Sequence, residues 1–239
     1  MAGEEGTGIW SNEQATALHV PAPTLSTAHY LRIASAYRGT RKHVNKVFHS
    51  SFLPTEITFS TPTEKEVFIE DLRMAVYSAC LGAYVQGMSV IDAADRNYKW
   101  CIDFANIVQI WRAGCIIQAD HISSLLAEIF HHNASSPSSS HKTHPDHNLL
   151  FEDSIASDLK RGFESLKKAV AKSVQENAII PSMSATLEWL KYSGNLELPT
   201  NFYEAELDYF GRHMYDSKAM DTGPDVPETG KRHFEWKKA

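Results

Sequence analysis

One apolar stripe constrains this chain more than anything else in it. Between Pro62 and about Arg96, Ile69, Leu72, Val76, Ala79, Ala83, Gly87, Val90 and Ala94 recur at spacings of three and four. That spacing lines one face of a helix, not of a strand. Thr61 can cap the start, and Pro62 fits the first turn, where its missing N–H is no loss. Glu64, Glu66, Glu70 and Asp71 then suit the positive end of the helix dipole. About 35 residues at 1.5 Å each span roughly 50 Å, more than the width of a small domain. The pattern therefore predicts a central spine. The small residues Ala79, Gly82, Ala83 and Gly87 let another helix approach closely along that face, the glycines at a cost in helix propensity.

The remaining pattern is also helical. Asp103 to Arg112 and Asp120 to Phe130 continue it, with Gly114 permitting close approach or a break. Ser11 is expected to cap a helix from Asn12 to about His19, and Thr24 a second one carrying Leu25, Ala28, Leu31, Arg32, Ile33 and Ala34. Ile155, Leu159, Phe163, Leu166, Val170 and Val174 predict a later helix, Pro181 opens another, and Pro199 precedes a last one from Thr200 to about Tyr215. The one stretch with strand character is Glu56 to Ser60. The fold class expected is all-α, with one helical domain over residues 1–216 and a C-terminal tail over 217–239 ending in Phe234 and Trp236. A tail of that composition has too little apolar content to fold alone; it is either disordered or docked through its rings on another surface, and docking on a second subunit is the expectation taken.

Charge and cysteine use exclude several classes. A net charge of −6 and a pI near 6.0 give no basic field for nucleic acid or for acidic membrane surfaces. No apolar run is read as long enough for a membrane span, and the first residues lack a signal-peptide pattern. The three cysteines, Cys80, Cys101 and Cys115, have no CxxC spacing, which fits a reduced, cytoplasmic setting. Arg38, Arg41, Lys42, His43 and Lys46 form the most positive segment, read mainly as a solvated helical face. His131 to His147 holds five of the twelve histidines, but without ligand spacing or a nearby cysteine it reads as a flexible polar loop with no metal. Gly6-Thr7-Gly8 only superficially suggests a dinucleotide loop, because Ser11 occupies the third glycine position.

Five stretches, in order along the chain, resemble the C-terminal domain of the 6-phosphogluconate dehydrogenase family. They are Gly6-Thr7-Gly8-Ile9-Trp10-Ser11, Ile110-Trp111-Arg112-Ala113-Gly114-Cys115-Ile116-Ile117, Leu198-Pro199-Thr200-Asn201, Asp208-Tyr209-Phe210-Gly211-Arg212-His213, and Gly230 to Trp236. The resemblance implies an all-helical domain that packs as a homodimer, with the tail reaching into the partner subunit. It also implies a role in oxidative decarboxylation of 6-phosphogluconate with NADP, in the pentose phosphate pathway. The family's cofactor domain and the helix with its catalytic lysine and glutamate are expected ahead of Met1. This chain by itself is thus expected to hold no cofactor and to be inactive alone.

On the same resemblance, Gly8, Trp10, Arg32 and His213 are the candidate substrate-binding residues. Arg32 and His213 match two of the family's phosphate contacts, whereas Ile9 and Leu207 stand where the family has a lysine and an arginine. Arg212 is a candidate replacement cation. Against these stand plainer readings: His213 as a helix-end histidine, Arg32 paired with a surface carboxylate, and Trp10, Trp111 and Trp189 as core residues. Two other functions stay open. One is a helical dimer repurposed for another small molecule, with His213, His29 or His19 as acid or base; the other is a non-catalytic dimerisation module.

Overall fold

The start of the spine is fixed by side chains. The Thr61 hydroxyl accepts from the Glu64 N–H at 3.2 Å, and the Glu64 carboxylate reaches back to the Ser60 N–H at 2.8 Å, satisfying amides that the first helical turn leaves unpaired. In the computed structural model, which describes residues 6–49, 52–135, 148–217 and 228–236, the helix that follows runs Pro62–Tyr98 and stops at Lys99 in the left-handed conformation. It is the fourth of the described helices: α1 Thr7–Ala17, α2 Pro23–Ala36, α3 Arg38–Val47, α4 Pro62–Tyr98, α5 Phe104–Arg112, α6 Asp120–Ser135, α7 Asp153–Gln175, α8 Pro181–Gly194 and α9 Thr200–Gly211. Residues 136–147, most of the histidine-rich stretch, lie outside the described residues.

The chain forms two compact units, Met1–Leu190 and Lys191–Ala239. In the first, Leu81, Val85 and Met88 of α4 meet Val108 of α5, Ile122 and Leu126 of α6, and Ile155 and Leu159 of α7 in one buried cluster. The neighbours of α4 are read in succession by residues four apart. Ser78 faces Gly162 of α7, and Gly82 faces Thr186 of α8, where an added Cβ would lie 2.7 Å from the threonine methyl. Gln86, fully buried, accepts from the Thr24 N–H of α2 at 2.9 Å and donates to the Thr24 hydroxyl at 2.8 Å. The Thr24 and Thr186 hydroxyls are 2.8 Å apart, and Thr186 donates to the Ser182 carbonyl. One interior amide thus ties α2 to α4, and one hydroxyl pair extends the tie to α8.

Several local expectations are corrected. Thr24 is not a cap; α2 starts at Pro23, and a first-turn N–H with no helical partner is taken by Gln86 instead. Helix α1 starts at Thr7 rather than Asn12, and the Ser11 hydroxyl donates to the Gly8 carbonyl inside it. Glu56 to Ser60 forms no strand, and Thr55 is pinned to the Glu176 carbonyl just before it. By length and composition α4 is apolar enough to cross a membrane, contrary to the reading of the sequence, yet half of its most apolar window is buried within the chain. The packed face is not the whole of the predicted stripe either. Ile69, Leu72 and Val76 remain 53%, 38% and 45% exposed, because α2, α7 and α8 engage the side of Ser78, Gly82 and Gln86.

In the second unit, α9 ends at Gly211, four residues before the expected Tyr215, with Arg212 left-handed. Strand β1 (Tyr215–Ser217) then pairs antiparallel with β2 (Glu228–Arg232), Tyr215 opposite Arg232. The fold class remains helical, with this ribbon its only sheet among the described residues.

Candidate functional site

The sequence candidates fall in both units. In the first, Gly8 lies against His29, since a Cβ there would sit 2.5 Å from the imidazole Nδ1. Arg32, exposed, follows His29 by three residues and so lies one turn along the same face of α2. Trp10 comes two residues after Gly8 and turns elsewhere; it is 66% exposed and lines an apolar groove on α4. Gly8, His29 and Arg32 therefore belong together, and Trp10 does not join them. His19 is exposed at the far end of α1, about 16 Å along the helix from Gly8. Ile9, at the position of the family's lysine, is partly exposed.

In the second unit the organising residue is one that sequence reasoning missed. Asp208 is buried in the last turn of α9, where the helix dipole disfavours a carboxylate. It is held there by donors from both ends of the following segment. Oδ1 accepts from the Met214 N–H at 3.1 Å and pairs with His233 Nδ1 at 2.8 Å; Oδ2 accepts from the Phe234 N–H at 3.0 Å and from Trp236 Nε1 at 2.9 Å. Burial raises its pKa, but hydrogen bonds from His233, the Phe234 N–H, Trp236 and the Met214 N–H outweigh that and hold it well below the ordinary carboxylate range. A carboxylate at the wrong end of a helix was the available signal that such partners exist.

His213 stands between Arg212 and Met214, both with positive φ, in the turn that Asp208 clamps through Met214. It is exposed, as a ligand-facing imidazole needs to be. Leu207, next to Asp208 in sequence, is 45% exposed. Arg212 pairs with Glu235 at 3.2 Å, so its charge is already partnered within the unit. Residues 234–236 return to their own α9, with Trp236 edge-on to Tyr209.

Compared with known proteins, residues 1–236 match the family described as 6-phosphogluconate dehydrogenase, C-terminal domain. The chain belongs to the 6-phosphogluconate dehydrogenase family, as its C-terminal domain. A decarboxylating 6-phosphogluconate dehydrogenase of Emericella nidulans is 37% identical over 238 residues, 98% of this chain and 45% of that protein. One from Lactococcus lactis subsp. cremoris is 30% identical over 98% of this chain and 44% of its own length. A Plasmodium falciparum 6-phosphogluconate dehydrogenase, solved in its apo form, with its cofactor NADP+ and with its substrate 6-phosphogluconate, superposes with a TM-score of 0.79 at 26% identity. The match covers 99% of this chain and 46% of that one. The chain thus spans less than half the length of these relatives.

Among the described residues no parallel strand–turn–helix is formed, and Gly6-Thr7-Gly8 leads straight into α1 with Gly6 at φ 79°. No group of three His, Cys, Asp or Glu side chains among the described residues is placed to hold a metal.

Proposed function

We propose that this chain is the substrate-side part of a decarboxylating 6-phosphogluconate dehydrogenase, working as a homodimer with NADP carried by a part outside the present sequence. The observation that carries the reading is the match along nearly the whole chain, which includes the Asp208-Tyr209-Phe210-Gly211 turn presenting His213. Arg32 supplies a permanent cation and His213 a titratable one, and together they bind an acidic ligand between subunits. The three free thiols fit a cytoplasmic location.

Ile9 and Leu207 favour a modified preference at this cleft. Each lost cation removes a charge-assisted hydrogen bond of roughly 1.5–3 kcal/mol, so a less charged acid is better matched than a full sugar phosphate. With the chain alone, NADP and 6-phosphogluconate, NADPH formation is expected to stay at the level of a mock purification. Calorimetry is expected to show weak or no binding of 6-phosphogluconate, which Ile9→Lys with Leu207→Arg should strengthen. Tight binding by the unaltered chain that Arg32→Ala leaves intact removes the cleft from consideration.

A further inference from the structure

Gly8 is the informative residue. It sits in the first turn of α1, and glycine inside a helix costs stability relative to alanine. His29 of α2 accounts for it. A Cβ at Gly8 would lie 2.5 Å from the imidazole Nδ1, 3.1 Å from Cε1 and 3.4 Å from Cγ, which are Nδ1 and the two carbons bonded to it. The ring therefore meets α1 by its Nδ1 edge, and Nε2 is turned away from Gly8. His29 is half-buried, and Arg32, one turn further along the same face of α2, is exposed.

Arg32, His29 and the start of α1 carry charge of one sign only. The guanidinium is permanently cationic, an imidazole is neutral or cationic and never anionic, and α1 begins at Gly6 with no side chain capping its positive end. Ile9, the next residue of α1, brings no charge. Groups of this kind repel one another when set together, and an oxyanion shared between them removes the repulsion.

We infer that His29 is a specificity-determining contact of the acid cleft, donating from Nε2 to an oxyanion that Arg32 holds as well. The group recognised is the phosphoryl or carboxylate terminus of a small acid, and an uncharged polyol of the same length is rejected. The inference rests on the functional reading for the presence of an acid in the cleft, not for the part played by His29.

The test follows the two imidazole nitrogens of His29 by NMR in the 239-residue chain labelled with ¹⁵N-histidine, the signals being assigned by their loss in His29→Gln. The probes are 6-phosphogluconate, gluconate, inorganic phosphate and uncharged sorbitol. The expected result is a saturable movement of Nε2 with the acids, larger than that of Nδ1, and none with sorbitol. Movement confined to the phosphate-bearing probes assigns the oxyanion to a phosphoryl group; an equal response to gluconate assigns it to the carboxylate. Gln can place an amide N–H near the position of Nε2 and Asn cannot. His29→Asn is therefore expected to raise the Kd by about five-fold or more, and His29→Gln to keep it within about two-fold, at unchanged helicity. If either variant does not fold, the Nε2 signal of the parent decides. An Nε2 that stays still while an acid binds, or that moves with sorbitol, overturns the inference. Binding that is lost with Arg32→Ala but is equal in parent and His29→Asn removes His29 and keeps the cleft. The reverse failure is also readable: His29 and Arg32 responding to 6-phosphogluconate no better than to inorganic phosphate keeps the contact and removes the sugar-acid reading. No response to any probe at any concentration removes both.

Discussion

Gly162 and Ser78 are fitted to one another more tightly than any other described glycine and its neighbour. An added Cβ at Gly162 would overlap the Ser78 hydroxyl and lie 3.4 Å from the Met74 carbonyl. That hydroxyl is buried and has no hydrogen-bond partner, so it adds bulk to the seam without the return of a bond. Gly162→Ala is expected to destabilise the chain by about 1–3 kcal/mol, the usual cost of overpacking. In a Ser78→Ala background the same change should cost less than half as much, a coupling that urea titration of the four proteins measures directly. Equal costs in both backgrounds would mean that the backbone, not the serine, resists. None of this was legible in the sequence. Gly162 sits in a helical pattern like any tolerated glycine, and its partner lies 84 positions away.

At the scale of elements, the bounds of α4 were legible because its signals are local: Thr61, Pro62 and the acidic first turn act within a few residues of the cap. Ser11 and Thr24 misled for the same reason. They carry the right chemistry for a cap, but Thr24 is claimed by Gln86, 62 residues away, and long-range claims leave no local trace. The ribbon β1–β2 was invisible because it lacks an alternating apolar pattern; the segments joined by it converge instead on Asp208. A carboxylate whose folded pKa lies below its ordinary value stabilises fully above that value, and the contribution is lost as the pH falls through the acid range. The indole N–H resonance of Trp236 should therefore hold constant down through the ordinary carboxylate range, near pH 4, and move only well below it. Asp208→Asn should shift that resonance at neutral pH and abolish the acid step. A parent spectrum that already moves at the ordinary carboxylate pKa, near pH 4, would separate the ribbon from the carboxylate.

For the whole molecule, the helical class and the family were legible from five short stretches in order, whereas the candidate site was legible only in part. Arg32 and His213 could be named as candidates, whereas Asp208 stood out only as part of the stretch leading to His213, and its hold on that turn was not read. Away from the groove on α4, Tyr37, Val47, Phe48, Phe52 and Leu53 are exposed, more apolar surface than a solitary subunit ordinarily leaves uncovered. Light scattering over a dilution series is expected to give twice the 26.8 kDa chain mass, and a monomer at every concentration would remove the dimer from the functional reading. The ladder of Ser78, Gly82 and Gln86 has a further consequence in terms of inheritance. Each residue meets a different helix, and all three depend on the same angular phase. One codon inserted between Ser78 and Gln86 would turn the remainder of α4 by about 100° and carry Gln86 away from Thr24, whereas four would turn it by only about 40°. Reading-frame-preserving insertions and deletions in this stretch should therefore be purged more strictly than most exchanges of one amino acid for another.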